Sequence, residues 1–108
     1  GIEATIYVDL LESNVDVRPY FENAYQNEEF VKILPEGVYP ETRSVRSSNY
    51  CQLAIQYVEH SDKLIIMSVI DNLVKGAAGQ AIQNMNLMFG IDEKTGLSQI
   101  GLLPKEKT

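Results

Sequence analysis

The sequence has 108 residues, 44% of them hydrophobic and 22% charged, which is typical of one folded domain with a modest core. Its net charge of −6 and its scattered basic residues argue against a nucleic-acid partner. The longest apolar run, residues 64–70, is too short to span a bilayer, and the N-terminus lacks a signal-peptide pattern. We therefore expect a soluble, cytoplasmic protein without a membrane partner.

The first third of the chain predicts two strands and one helix. Residues 2–10 carry apolar side chains at alternate positions, which predicts a half-buried strand. A helix is predicted from a cap at Asp16 to about Asn27, with Pro19 in its first turn. Residues 30–34 then predict a short strand, and an irregular connection rich in proline and glycine follows.

The middle of the chain predicts a hairpin. Residues 50–58 alternate, and residues 64–70 are apolar on both faces, as expected of a central strand. The short polar turn at residues 60–63 makes the two strands antiparallel neighbours. The side chains of the first hairpin strand expected to point inward are Cys51, Leu53, Ile55 and Tyr57.

The stretch DNLVKGAAGQAIQN, residues 71–84, predicts the start of a second helix, over about residues 73–89. Asp71 stands where an N-cap belongs, and Gly90 stands where a helix ends. Residues 91–108 show no sustained period and predict an extended tail with a frayed end. The stripe expected to face inward consists of Val74, Ala77, Ala78, Ala81, Ile82 and Met85.

The start of this helix has two possible explanations. Its small residues, with Gly76 and Gly79, would let a ligand or another domain approach closely, near unpaired backbone N–H groups, a positive dipole end and the Asn72 amide. Tight packing of the helix on a sheet accounts for the same residues. The sequence alone leaves both readings open.

The order of elements predicts an α+β fold, with a largely antiparallel or mixed sheet and helices on one face. Some of its strands are apolar on the second face as well. We therefore expect that face to pack against another domain or subunit, as in a homo-oligomer.

No complete catalytic or metal-binding constellation is visible. Cys51 and His60 are the only residues of their kinds, and in an extended strand they would lie far apart on opposite faces. We interpret Cys51 as a structural residue and His60 as a solvated turn residue. The carboxylate pairs stand in turn-like surroundings, and no spacing suggests a metal site.

Four stretches carry a family resemblance. DNLVKGAAGQAIQNMNLM, with the FG and KTGL that follow, resembles the C-terminal signature of N-acetyl-gamma-glutamyl-phosphate reductases, which are similar to semialdehyde and glyceraldehyde-3-phosphate dehydrogenases. GIEATIYV, FVKILPEGVYP and TRSVRSSNYC agree in the same order, so the resemblance covers nearly the whole chain.

The resemblance implies that residues 1–108 form the C-terminal substrate and dimerisation portion of an NADP-dependent reductase. Such an enzyme converts N-acetyl-L-glutamyl 5-phosphate to the 5-semialdehyde in arginine biosynthesis. Residues 71–90 would form a helix that faces the nucleotide-binding domain. The family's Gly-Cys-Tyr-Pro nucleophile motif and its histidine motif are absent from these residues, and Cys51 does not match them, so this chain alone is expected to be inactive.

The same resemblance suggests individual roles. Asn72 is the candidate contact to the nicotinamide carboxamide of NADP, with Lys75 and Gly76 beside it. A second suggestion comes from composition: the loop of residues 42–49 carries Arg43 and Arg46 among hydroxyl side chains. It could hold a substrate carboxylate or phosphate, or could be a solvated connection or a subunit contact. The alternative function is a noncatalytic dimerisation or interaction module derived from the same fold.

Overall fold

A computed structural model describes residues 1–12 and 14–100. They form a four-stranded mixed sheet and two helices, which confirms the α+β prediction. The sheet has the strand order β1-β4-β3-β2. The elements are β1 (Ile2–Asp9), α1 (Arg18–Tyr25), β2 (Val31–Ile33), a 3₁₀ turn (Thr42–Ser44), β3 (Cys51–Tyr57), β4 (Lys63–Ile70), a π turn (Val74–Ala78) and α2 (Gly79–Met88).

The hairpin prediction is confirmed, and β4 is a central strand. β3 and β4 pair antiparallel, with Tyr57 opposite Leu64 and Cys51 opposite Ile70. β1 pairs antiparallel with the other side of β4. β2 pairs with β3 in parallel, which makes the sheet mixed.

The prediction that β1 is half-buried is wrong for this chain. Every residue of β1 except Val8 is exposed, and Ile2 and Ile6 are 50% and 46% accessible. The reason is position: β1 is an edge strand, whereas α1 packs against β2 at the opposite edge. Its apolar alternation therefore marks a surface that this chain does not cover.

The inward set predicted for β3 is only partly correct. Ile55 is buried, but so is Ala54, which points to the other face, and Cys51 and Leu53 are only half-buried. Tyr57 is exposed, and its hydroxyl is hydrogen-bonded to the two residues that precede α1. It donates to Asp16 Oδ1 at 2.9 Å and accepts from the Val17 N–H at 2.6 Å.

α1 begins and ends slightly inside its predicted limits. The Asp16 carboxylate accepts the Arg18 N–H at 3.2 Å, although Val17 is the residue at the cap position. The Arg18 guanidinium donates to the Leu34 carbonyl at 2.9 Å, which ties this helix to the end of β2. The helix ends at Tyr25 and not at Asn27.

The core combines side chains of the β3–β4 hairpin with Phe30, Val45 and Leu97 from outside the hairpin. The Phe30 and Tyr50 rings meet edge to face, 5.6 Å between centroids. Residues 92–97 form turns and bury Leu97, so the prediction of an extended tail is wrong up to this point. The predicted frayed end lies outside the described residues. The largest buried apolar side chains include Phe30, Leu64, Val45 and Val69.

The inner stripe predicted for the second helix is wrong. α2 buries Gly79, Gln83 and Asn86, whereas Ile82 and Met85 are 39% and 46% accessible. The predicted α-helical first half is a π turn, which shifts the phase of the residues that follow. The predicted stop is confirmed: Gly90 has φ +67°, and the Ile91 N–H donates to the Asn86 carbonyl at 2.8 Å.

Candidate functional site

Asp71 joins the two segments in which sequence analysis placed the candidate site residues. Its carboxylate accepts the Ser47 N–H at 2.7 Å and the Leu73 N–H at 2.8 Å. These two hydrogen bonds, of which that from Ser47 has the larger effect, lower the pKa of Asp71 because both favour the charged form. A buried carboxylate thus holds the loop of residues 45–49 against the end of β4.

The Asp71 backbone also shapes the turn that follows. Its carbonyl accepts the N–H groups of Val74 at 3.2 Å and Gly76 at 3.1 Å, and the Gly79 N–H donates to the Val74 carbonyl. Together with Leu73, three early donors of this segment are therefore occupied by Asp71. The prediction that the start of this helix carries unpaired N–H groups is therefore wrong for these three residues.

Asn72 and Arg46 are neighbours in sequence of the bonded pair Asp71 and Ser47, and both side chains are exposed. The fold thus brings the predicted cofactor residue and one predicted substrate residue to the same part of the surface. Arg43 lies in the 3₁₀ turn, also exposed, and its Nε is 2.9 Å from Glu41 Oε2. Its charge is already balanced by that carboxylate.

Lys75 is half-buried, whereas Gly76 is exposed in the π turn. Lys75 Nζ donates to Gln83 Oε1 at 2.7 Å and lies 5.6 Å from the centroid of the Phe30 ring. Burial lowers the pKa of Lys75, and attraction by nearby Cys51 and Glu93 opposes that shift. A Cβ at Gly76 would lie 3.3 Å from Ile70 Cδ1, so the missing side chain relieves crowding against the sheet.

Sequence analysis missed a set of buried polar side chains under α2. Gln83 Oε1 also accepts from Asn49 Nδ2 at 2.9 Å, and Gln83 Nε2 donates to Glu93 Oε2 at 2.6 Å. Asn86 Nδ2 donates to the Glu93 and Thr95 carbonyls, each at 3.0 Å. The available signal was that Gly79, Gln83 and Asn86 form a stripe at helical spacing in a helix that contains no charged residue.

Gly79 is required by its neighbours. A Cβ there would overlap Asn49 Oδ1 and would lie 2.6 Å from the Val74 carbonyl oxygen. Asn49 Oδ1 is buried and has no hydrogen-bond partner among the described residues. The backbone of α2 therefore approaches Asn49 more closely than any larger residue would permit.

The remaining reactive side chains form no catalytic group within residues 1–12 and 14–100. Cys51 Sγ lies 3.4 Å from Ser68 Oγ, and His60 is exposed in the hairpin turn with φ +59°. In the same residues, no group of three or more potential ligands is arranged to hold a metal ion, and no helix is long and apolar enough to cross a membrane.

A cleft lies elsewhere, where β3 ends. It encloses about 520 Å³ and contains none of the predicted site residues. Its walls carry three carboxylates and a single guanidinium, so it does not favour an anionic cofactor. The charged and aromatic residues that line it are Asp16, Arg18, Glu36, Tyr57 and Glu59.

Comparison with known proteins gives consistent matches. A family model for the dimerisation domain of semialdehyde dehydrogenases matches residues 1–72. The chain is 60% identical over 104 residues to N-acetyl-gamma-glutamyl-phosphate reductase of Vesicomyosocius okutanii. Reductases of the same name from Pseudomonas fluorescens SBW25 and Pseudomonas putida F1 are 52% and 51% identical. Each alignment covers 96% of this chain but 30% of the relative. These matches confirm the resemblance indicated by the sequence motifs.

Proposed function

The chain belongs to the semialdehyde dehydrogenase dimerisation-domain family, and from that premise we propose that it is the C-terminal part of an NADP-dependent N-acetyl-gamma-glutamyl-phosphate reductase. The observation that carries the proposal is identity of 51% to 60% over 104 residues to reductases of that name. The chain spans 30% of their length, so the reaction belongs to the complete protein, which we place in the cytoplasm.

In that reaction a cysteine from another part of the polypeptide attacks the acyl phosphate of N-acetyl-L-glutamyl 5-phosphate and expels phosphate, and bound NADPH supplies the hydride that yields the semialdehyde. This chain contributes no catalytic residue to the proposal. Its contribution is to position groups around the cofactor and the substrate.

Asn72 is the proposed contact to the nicotinamide carboxamide. Its exposed primary amide can donate and accept at once, which matches the donor and acceptor of a carboxamide. Asp71 fixes the backbone that follows Asn72 through the bonds from Leu73 and Val74. In the same proposal, Gly76 keeps this turn close to β4, and Lys75 orders it through Gln83.

Arg46 is the stronger of the two proposed substrate contacts. Its side chain is exposed, and the loop that carries it is fixed by the Ser47 bond to Asp71. A guanidinium can bind a carboxylate or phosphate with two parallel hydrogen bonds. Arg43 is the weaker candidate, because Glu41 already occupies its Nε.

We propose that the nucleotide-binding domain of the complete protein covers the outer side of residues 71–90. This side exposes apolar residues that a solvated helix would not keep, namely Leu73, Ile82, Met85, Leu87, Met88 and Phe89. A second copy of the chain is the proposed partner for the sheet, where the edge strand β1 exposes Ile2 and Ile6 on one face. The description of the matched family, a dimerisation domain, supports that assignment.

The second candidate function is a noncatalytic dimerisation module. It is favoured by the match to a dimerisation domain. A Gly-rich nucleotide loop and a Gly-Cys-Tyr-Pro motif in the same reading frame would exclude it.

The deciding experiment is an assay of the complete protein in the reverse direction. N-acetylglutamate semialdehyde should reduce NADP to NADPH only when phosphate is supplied. Turnover of aspartate semialdehyde instead would assign the sister family. A complete protein with neither activity would favour the dimerisation module.

A further inference from the structure

Four polar side chains from four parts of the fold meet under the π turn. Asn49 comes from the loop before β3, Lys75 from the π turn, Gln83 from α2 and Glu93 from the turn after α2. We call them the Gln83 cluster. Gln83 is the only member bonded to all the others, at 2.9, 2.7 and 2.6 Å.

The donors and acceptors of the Gln83 cluster permit only one arrangement. Lys75 can only donate, so the Gln83 atom that it contacts must be the carbonyl oxygen. The Asn49 atom on that same oxygen must then be its amide nitrogen, and the Gln83 amide must point at the Glu93 carboxylate. This leaves Asn49 Oδ1 against Gly79, as the structure shows.

The Gln83 cluster and Asp71 hold the same two segments from two sides. Asp71 binds the loop of residues 45–49 at Ser47, and Gln83 binds it at Asn49. Asp71 also binds the π turn at its first residue, and Gln83 binds it at Lys75. Arg46 and Asn72, the proposed ligand contacts, lie next to these attachment points. Buried polar groups add little stability compared with apolar packing, but they define one geometry.

We propose that Gln83 is a positioning residue for the cofactor-facing surface, because it fixes the π turn to the loop of residues 45–49 and so holds Asn72 in place. This inference rests on the proposed function. It goes beyond that function by assigning a role to a buried residue that touches neither ligand.

The test uses the complete enzyme with three changes in the Gln83 cluster and one matched control. Gln83→Leu removes every bond of the side chain while keeping much of its volume. Gln83→Glu keeps the acceptor for Lys75 and Asn49 but sets a second carboxylate against Glu93. The double variant Gln83→Glu, Glu93→Gln restores the hydrogen bond between positions 83 and 93, with the side chain at position 93 now as the donor. Gln26→Leu is the control, since Gln26 is exposed beside α1 and bonds only to Asn23 among the described residues.

The expected result is a rise in the NADPH KM of about tenfold for Gln83→Leu, with a smaller change in the KM of the acyl phosphate. Gln83→Glu should raise the NADPH KM as well, and the added Glu93→Gln should return it to within about twofold of the parent. Combining Gln83→Leu with Asn72→Ala should be no worse than the larger single change, because both act through one contact.

Two results would overturn the inference while the proposed function stands. One is a Gln83→Leu enzyme with a lower melting temperature but the NADPH KM of the Gln26→Leu control. The other, which applies even if Gln83→Leu does not fold, is a failure of the Gln83→Glu, Glu93→Gln pair to restore the KM raised by Gln83→Glu. Failure of the proposed function is separate: the unaltered complete enzyme would then not turn over the acyl phosphate with NADPH.

Discussion

The β3–β4 hairpin and α2 bury opposite kinds of side chain. The hairpin buries Ala54, Ile55, Leu64 and Val69, as a sheet in a hydrophobic core does. α2 buries Gly79, Gln83 and Asn86 and exposes its large apolar residues.

The difference shows what each region contributes. The hairpin contributes four buried apolar side chains to the core of this chain. α2 is bonded to the chain through polar groups, and the described residues leave its large apolar side chains exposed. Function is proposed at the boundary between the two regions, where β4 ends and the π turn begins.

The largest effect is expected where α2 meets Asn49. Gly79→Ala should lower the free energy of unfolding by about 4 kcal/mol, because the new Cβ would overlap Asn49 Oδ1 and a backbone carbonyl. Urea denaturation of the complete protein measures this. Gly76→Ala is the control: its Cβ would meet the flexible end of Ile70, so its cost should stay below about 1 kcal/mol. Equal effects would show that the contact with Asn49 is unimportant.

The hairpin core gives the next largest effect. Leu64→Ala should cost about 3 kcal/mol of unfolding free energy, because Leu64 is fully buried and its loss leaves a cavity. Leu11→Ala removes the same atoms from a fully exposed position in this chain and should cost less than about 0.5 kcal/mol. A reversed order in chemical denaturation would contradict the assignment of the core to the hairpin.

A smaller, functional effect is expected at the boundary. Asn72→Ala in the complete enzyme should raise the NADPH KM by about tenfold, because one amide contact to the cofactor is lost, and should change the substrate KM less. Steady-state kinetics with each substrate varied in turn gives both constants. An unchanged NADPH KM would remove Asn72 from the cofactor site.

The smallest expected effect is a dependence on pH. The pKa of Asp71 is lowered in the folded state by the bonds from Ser47 and Leu73, so its contribution to stability is complete above its ordinary value of 3.8 and is lost as the pH falls through the lowered pKa. Asp71→Asn should therefore be less stable than the parent at pH 7, with the difference shrinking towards pH 3. A difference independent of pH would show that the charge of Asp71 is not involved.

Much of the fold follows from local sequence patterns. The residues of β4 are apolar on both faces, which placed it at the centre of the sheet, and the Gly90 stop follows from the need for a positive φ. The edge position of β1 could not be predicted, because alternation shows that a strand has an apolar face and not whether the same chain covers it.

The candidate site was predictable only in its exposed part. Asn72 was predicted from a motif and Arg46 from the composition of its loop, and the fold brings their segments together. Gln83 and Asn49 were not, because a buried polar residue is recognisable only from its partners, and these are 34 residues apart. The inverted face of α2 was missed because the largest apolar residues were assumed to face this chain's own core.

The central claim is that the apolar side of α2 lies against the rest of the complete protein, and methionine oxidation tests it most directly. Met85 and Met88 are 46% and 81% accessible in this chain, whereas Met67 is half-buried in β4 and serves as the reference. When the complete protein is treated with dilute hydrogen peroxide and analysed by peptide mass spectrometry, Met85 and Met88 should oxidise no faster than Met67. Rapid oxidation of both, with Met67 spared, would show that this side of α2 is solvated and would contradict the account.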